Sequence, residues 1–210
     1  MLPLAKELHE LGLGIFMVDF FGSEGSGGTG TTIGHLESHD VSLSYNYVRT
    51  VWPGSRIILY GQSMGGASIL RSIAKDGIEP EALIIEATYD TMLNTVKNRF
   101  GVMGLPSFPL ANILVFWGGV RSGFNAFKHN PSDYSQQVVI PALVLHGELD
   151  SRVTTKQAKN LFQNRKGWKR VSSFPNGGHG ALFEADLQRW QEAVVELIAQ
   201  ATKGQDPPDQ

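Results

Sequence analysis

One pentapeptide, lying between a buried strand and a helix, constrains the fold of this chain more than any other feature. Residues 57–60 are a short apolar run typical of a strand buried on both faces, and residues 64–75 have helical spacing. Between them, GQSMG at residues 61–65 matches the pattern G-x-S-x-G. A serine on such a sharp strand-to-helix turn needs flanking glycines, because side chains there would clash. The context predicts an exposed, reactive Ser63; the alternative is a serine in an ordinary glycine-rich turn.

The rest of the chain alternates further apolar runs with helical patterns. Four more strands are predicted, at Ile15–Val18, Leu83–Ile85, Leu143–Leu145 and Val171–Phe174. Helices are predicted over residues 3–11, 33–52, 154–164 and 182–199. The helix over 33–52 is expected to turn its largest apolar side chains inward, namely Ile33, Leu36, Leu43, Tyr47 and Trp52. This alternation predicts an α/β fold, a three-layer α/β/α sandwich around a mainly parallel sheet.

A long interruption separates the predicted strands at Leu83–Ile85 and Leu143–Leu145. Residues 90–140 are too many for an ordinary connection and are rich in aromatic side chains, so they predict a helical cap insertion. Phe116 and Trp117 are the candidate substrate contacts there, although such aromatics could equally pack the cap onto the domain. We expect one domain over residues 1–202, followed by a disordered tail at 203–210.

Composition excludes several classes of function. The 210 residues contain no cysteine, which removes disulfides, thiolate catalysis and cysteine-based zinc sites and leads us to expect a cytoplasmic protein. The net charge of −2, from 18 basic and 20 acidic residues, gives no electrostatic reason to expect nucleic acid or an anionic membrane as a partner. No apolar run is long enough for a membrane span, and charged residues interrupt any signal-peptide pattern near the start.

Two glycine-rich stretches superficially resemble nucleotide-binding loops. GQSMGGAS at residues 61–68 approaches the phosphate-loop pattern, but Ala67 stands where the phosphate-binding lysine is required. Residues 25–30 match G-x-G-x-x-G, yet residues 19–24 separate them from the preceding strand, and the next strand ends without an acid for a ribose. We therefore expect neither a nucleotide nor any other organic cofactor, and no metal.

A reactive serine needs a base within hydrogen-bond reach and an acid that orients the base. Among six histidines, His179 lies in a glycine-rich loop after the last strand, whereas His146 directly follows a strand and is expected to be packed and hydrogen-bonded. Asp150 lies just past the preceding strand, with Glu148 as the alternative acid. The carboxyl ends of parallel strands share one edge, so Ser63, Asp150 and His179 are expected to converge there.

Three motifs in this order, GQSMGG, HGELDSRV and GGHG, resemble the α/β-hydrolase superfamily, and most closely its serine aminopeptidase-like and lysophospholipase-like branch. VDFFGSEGSGG is similar to that branch's loop D-x-R-G-x-G-x-S-x-G, with Phe21 in place of the arginine. The resemblance covers about residues 3–200. It implies Ser63 as nucleophile, Asp150 as acid, His179 as base and the backbone N–H of Met64 as an oxyanion donor.

One part of the family pattern is not found. The resemblance implies a further strand, ending in His-Gly, before the helix at Pro3, and the loop after it supplies the second oxyanion donor. We therefore expect Met1 to be an internal methionine of a longer protein. In the family that strand lies between the strands that match Ile15–Val18 and Ile57–Tyr60. Without it, these two strands are expected to close up on each other or to leave an unpaired edge.

The expected function is hydrolysis of a carboxylic ester or thioester through an acyl-serine intermediate. The substrate is expected to be a small molecule with an apolar acyl or aryl group, and Gln62 is a further candidate contact. Two alternatives stay open. A serine peptidase would need an acidic subsite for a substrate ammonium, for which Glu86, Asp90 and Asp133 are candidates. A fragment lacking half of its oxyanion hole would be catalytically impaired.

Overall fold

The computed structural model of the chain describes residues 2–203, except residues 24, 29, 162 and 164–166. The described strands are β1 (Ile58–Gln62), β2 (Ala82–Glu86), β3 (Ala142–Gly147) and β4 (Lys169–Phe174). The described α-helices are α1 (Leu2–Glu10), α2 (Glu37–Val51), α3 (Met64–Asp76), α4 (Met92–Val102), α5 (Leu110–Ser122), α6 (Pro131–Ser135), α7 (Thr155–Asn160) and α8 (Leu187–Lys203). Single 3₁₀ turns occur at Ala126–Lys128 and Leu182–Glu184. The predicted tail from residue 204 onward lies outside the described residues.

The four strands form one parallel sheet in the order β1-β2-β3-β4. Every residue of β2 and β3 is buried, as their uninterrupted apolar sequences predict for strands covered on both faces. Consecutive strands are therefore spatial neighbours, and all four carboxyl ends lie along one edge. The predicted α/β class with a parallel sheet is confirmed.

Helices cover both faces of this sheet. On one face, α2 and α3 pack against alternate strand residues such as Leu83, Ile85 and Val144. On the other face, α1 and α8 pack against residues of opposite pleat, including Ile84 and Leu143. Alternation of side chains along each strand sends its apolar residues to both layers, which produces the three-layer arrangement.

The predicted strand at Ile15–Val18 is wrong. These four residues have no regular secondary structure, and their side chains are 38–52% exposed. Within the described part of the chain, β1 pairs only with β2. Ile15–Val18 and β1 therefore do not close up on each other. An apolar run becomes a strand only where a second strand lies beside it to complete the backbone hydrogen bonds.

The predicted inward face of the helix at 33–52 is also wrong. Leu36, Leu43, Tyr47 and Trp52 are all exposed, and only Ile33 is partly buried. α2 instead turns Ser38, Val41, Ser42 and Tyr45 toward the sheet and α3. The small serines let the two helices approach, and the Ser42 and Ser72 hydroxyls are 2.6 Å apart.

The connection between β2 and β3 contains α4, α5, a 3₁₀ turn and α6. α4 and α5 share a small apolar cluster of Met92, Val96, Ala111, Val115 and Ala126. This segment occupies the position of the predicted insertion, and we call residues 91–130 the cap segment. Across the described ranges, no helix has both the length and the hydropathy that crossing a bilayer requires.

Candidate active site

Ser63 lies on a strained turn between β1 and α3. Its φ of 49° and ψ of −107° are rarely adopted by a residue with a side chain. Neighbouring glycines make this turn possible, because other atoms pack too closely around them to leave room for a Cβ. A Cβ on Gly61 would lie 2.5 Å from the backbone of Gly65, and a Cβ on Gly66 would lie 2.1 Å from Thr88 Oγ1. The turn therefore holds the Ser63 side chain at the carboxyl edge of the sheet.

Two backbone N–H groups at this turn have different environments. The Ser63 N–H donates to the Glu86 carbonyl at 2.7 Å, so it is occupied. Met64 is the first residue of α3, and a helix has no internal acceptor for the N–H groups of its first turn. The Met64 N–H is thus the group at this helix start that matches the predicted oxyanion donor.

Asp150 and His179 are brought together across the edge of the sheet. His179 Nδ1 is 2.8 Å from Asp150 Oδ2, with the carboxylate fully buried and the imidazole 21% exposed. The other oxygen, Oδ1, accepts the N–H groups of Arg152 and Val153 at 2.8 and 2.9 Å. Burial by itself would raise the pKa of Asp150, but the hydrogen bonds from His179, Val153 and Arg152 outweigh burial and lower the pKa below its ordinary value.

The loop carrying His179 lies against the turn carrying Ser63. Gln62 Nε2 is 3.4 Å from the His179 carbonyl oxygen, although 117 residues separate them in sequence. Within the described residues, the Ser63 hydroxyl has no hydrogen-bond partner and the His179 ring is bonded only through Nδ1. Hydrogen bonds between a nucleophile and its base are often long in unliganded structures. The three predicted residues therefore share one edge, with one of their two expected contacts formed.

Glu86, at the end of β2, is a buried carboxylate that holds this loop. It accepts hydrogen bonds from the hydroxyl of Tyr60, from Gln62 Nε2 at 3.0 Å and from the Leu182 N–H at 3.1 Å. Burial raises the pKa of Glu86 above its ordinary value, although these hydrogen bonds partly oppose the shift. From sequence alone, Glu86 is predicted only as a possible subsite for a substrate ammonium. Its position at the end of a strand, next to the Ser63 turn, is the signal that indicates this anchoring role.

The other predicted contacts are placed differently. Gln62 points to Glu86 and the His179 loop, and its proposed substrate contact stays a prediction. Phe116 and Trp117 lie on α5, 52% and 61% exposed, with their rings packed edge to face at 5.4 Å. They lie outside the apolar cluster of the cap segment, against which Phe100 and Phe124 pack, and Phe124 also stacks on His35. Contact of Phe116 and Trp117 with substrate also stays a prediction.

A buried histidine, His129, and a partly buried one, His35, lie where the cap segment meets the body of the protein. His129 Nε2 is 3.0 Å from the Tyr89 hydroxyl, and His35 stacks on Phe124 at 3.6 Å. Burial lowers the pKa of each histidine to about 4. His146, as predicted, is buried and hydrogen-bonded, with Nε2 2.9 Å from Thr155 Oγ1.

Solved structures similar to this one come from α/β-hydrolase-fold proteins. The esterase Pf2001 of Pyrococcus furiosus superposes with a TM-score of 0.76 at 19% identity, over 95% of this chain and 75% of that one. The α/β hydrolase GrgF of Penicillium sp. sh18 superposes with a TM-score of 0.71 at 16% identity, over 96% and 84% of the two chains.

Relatives are also found by sequence. YfhR of Escherichia coli is 26% identical over 208 residues, which is 97% of this chain and 66% of YfhR. Bem46 of Schizosaccharomyces pombe is 25% identical over 202 residues, 95% of this chain and 62% of that protein. The chain thus spans just under two thirds of the length of these relatives. No protein-family model matches it.

Sheet order, strained serine turn and structural neighbours together define the class: this chain has the α/β-hydrolase fold. Its relatives by sequence include YfhR and Bem46.

Proposed function

We propose that the chain is a serine hydrolase that cleaves a carboxylic ester or thioester through an acyl-serine intermediate. The observation that carries this proposal is the Asp150–His179 hydrogen bond beside the strained turn of Ser63. A buried carboxylate that accepts from Nδ1 leaves Nε2 of the same ring as the proton acceptor. Such a base is useful only to a group that must lose a proton, and the Ser63 hydroxyl is the nucleophile at this edge.

The proposed reaction uses only groups of the chain. His179 takes the Ser63 proton as Oγ attacks the substrate carbonyl, and the Met64 N–H donates to the developing oxyanion. The protonated imidazole, stabilised by Asp150, then gives its proton to the leaving group. In the second half, His179 removes a proton from a water molecule, which attacks the acyl carbon. As the bond from that carbon to Ser63 Oγ breaks, His179 returns the proton to Oγ, and the carboxylic acid is released.

An ester is a better proposal than a peptide because the acidic candidates for an ammonium subsite are already engaged. The Glu86 carboxylate has three donors, and Asp90 accepts from the Thr91 N–H, Asn94 and Gln157. Asp133 is exposed on α6 and accepts from Asn130 Nδ2 at 3.0 Å. The similarity to the Pyrococcus furiosus esterase supports the same choice. We propose a small substrate whose acyl or aryl group is apolar.

Labelling by a fluorophosphonate probe tests the nucleophile directly. We expect the parent chain to be labelled, with loss of labelling in Ser63→Ala and a large decrease in His179→Ala. His39→Ala, at an exposed histidine of α2, is the matched control and should label like the parent. A folded parent that resists the probe would contradict the proposal. Rates on p-nitrophenyl esters of increasing acyl length, compared with aminoacyl p-nitroanilides, then separate the ester from the peptide substrate.

A further inference from the structure

One side of the cap segment exposes an unusual number of large apolar side chains. On α5, Ala111, Val115 and Gly119 are buried, and Ala111 and Val115 pack against α4 and the 3₁₀ turn at Ala126–Lys128. The opposite face consists almost entirely of exposed apolar side chains: Leu110, Ile113, Leu114, Phe116, Trp117 and Val120. An α-helix that borders water normally has a polar outer face. The apolar composition of this face of α5 is therefore typical of a helix face that contacts another molecule.

The apolar exposure continues before α5. Val102, Met103, Leu105 and Phe108 are also exposed, and we call these four residues with the six of α5 the cap surface. The exposed fractions range from 40% for Leu110 to 75% for Phe108. Ten such side chains fall between residues 102 and 120. Large exposed apolar areas on a protein mark sites of interaction with other molecules.

Charge around this surface is distributed unevenly. All 20 acidic residues of the chain lie outside residues 91–130, whereas four basic residues, Lys97, Arg99, Arg121 and Lys128, lie inside. Arg121 is one helical turn after Trp117, and Arg99 is one turn before Val102 and Met103. No ion pair joins any of the four to an acid within the described part of the chain. The chain-wide charge of −2 conceals this purely basic segment.

We propose that the cap surface docks on an anionic lipid bilayer. Exposed aromatic and aliphatic side chains beside unpaired Lys and Arg are what an interfacial helix presents to acyl chains and phosphate headgroups. α5 has 13 residues, about 20 Å, which is too short to span a bilayer, so it lies along the interface. A second copy of the chain is disfavoured as the occupant, because a symmetric contact through this surface would bring two acid-free, basic segments together.

Co-sedimentation of the 210-residue chain with vesicles tests the proposal. We expect binding to vesicles of phosphatidylcholine with phosphatidylglycerol, weaker binding at high salt, and little binding to phosphatidylcholine alone. Ile113→Ser/Trp117→Ser removes two exposed apolar side chains and should lower the partition coefficient at least about 10-fold. Arg121→Glu/Lys128→Glu should also lower it at least about 10-fold, because each basic residue near an anionic surface contributes about 1 kcal/mol.

Matched controls lie on α2 and just after it, away from the cap surface. Val51→Ser/Trp52→Ser changes another exposed aliphatic and tryptophan pair, and Arg56→Glu reverses an exposed charge. Both should bind vesicles like the parent. Absence of parent binding to anionic vesicles, or equal losses in the controls, would overturn the proposal. So would a concentration-dependent dimer that Ile113→Ser/Trp117→Ser abolishes and that binds no vesicles, since the surface would then join two copies.

Discussion

Gln62 and Glu86 face each other in the register of β1 and β2, and their side chains are joined by a hydrogen bond of 3.0 Å. Glu86 also accepts the N–H of Leu182, three residues after His179. Glu86→Ala removes the oxygen Oε1 that accepts from both Gln62 Nε2 and the Leu182 N–H, so the His179 loop should lose its anchor. We expect kcat to fall about 10- to 100-fold with little change in KM, because the base is displaced rather than removed. Steady-state kinetics on an ester measures this.

Glu81→Ala is the matched control for that substitution. Glu81 lies at the other end of the same two strands, where it accepts the Ile57 N–H at 2.6 Å. Its substitution can lower the stability of the protein without affecting the His179 loop. Equal losses of kcat in the two variants, after correction for the folded fraction, would show that Glu86 has no positioning role.

Asp150→Asn should separate the two candidate acids. The amide keeps an oxygen for the N–H groups of Arg152 and Val153, but its NH₂ cannot accept from His179 Nδ1. The ring then adopts the wrong tautomer, for which we expect a loss of about 10³- to 10⁴-fold in kcat. Glu148 is exposed, and Glu148→Gln should keep nearly full activity. A large loss of kcat in Glu148→Gln and a small one in Asp150→Asn, measured on an ester, would instead identify Glu148 as the acid.

Gly66→Ala should destabilise the protein, whereas Gly65→Ala should not. A Cβ at residue 66 would lie 2.1 Å from Thr88 Oγ1 and 2.8 Å from Ile85 Cγ2, but one at residue 65 has no neighbour within 4 Å. Overpacking of this kind costs about 1–3 kcal/mol or more. We expect Tm to fall by about 5 °C or more for Gly66→Ala. Similar melting curves for the two variants would contradict the close approach of α3 to β2.

Stability should decrease as pH falls from about 6.5 to about 4. Burial holds the pKa of His35 and of His129 at about 4, below the ordinary value of 6.5. Between these limits the unfolded chain binds protons that the folded chain does not, so acid favours unfolding. The contribution is fully present above pH 6.5 and is lost as pH approaches 4. Melting temperatures at pH 7 and pH 4.5 measure the effect.

A variant isolates the share of one histidine in that pH dependence. His35→Phe keeps an aromatic ring stacked on Phe124 and removes one titrating group. We expect a smaller fall in Tm between pH 7 and pH 4.5 than in the parent. His39→Phe, at an exposed histidine, should leave the fall unchanged. An identical fall in all three proteins would mean that His35 contributes nothing.

Much of the fold could be predicted because periodicity and flanking residues are local signals. The sequence predicts all four described strands and the helix after Ser63 to within a few residues, and Thr154, where the predicted helix over 154–164 begins, caps α7. The predicted strand at Ile15–Val18 is wrong for a non-local reason. Its apolar sequence suits a strand, but pairing depends on what lies beside it, which the run itself does not encode.

The choice of buried face on α2 failed for a related reason. Leu43, Tyr47 and Trp52 form the more apolar side, yet the helix packs through Ser38, Val41, Ser42 and Tyr45. Close approach to α3 and the Ser42–Ser72 hydrogen bond decide the orientation, and both depend on a partner helix. The Asp150–His179 contact could be anticipated because strand ends in a parallel sheet share an edge. The Glu86 network could not, since it requires the register of β1 against β2.

Spatial order and sequence order coincide in this sheet, and this matters while the chain is being synthesised. Each strand can add to the one that left the ribosome before it, so β1, β2 and β3 need not wait for the end of translation. His179 is the last of the three site residues to emerge and follows β4. A nascent chain therefore carries Ser63, the proposed nucleophile, for 116 residues of synthesis, and Asp150, the proposed acid, for 29, before it acquires the proposed base. Under the proposed mechanism, a chain interrupted before His179 would have no base to take the Ser63 proton.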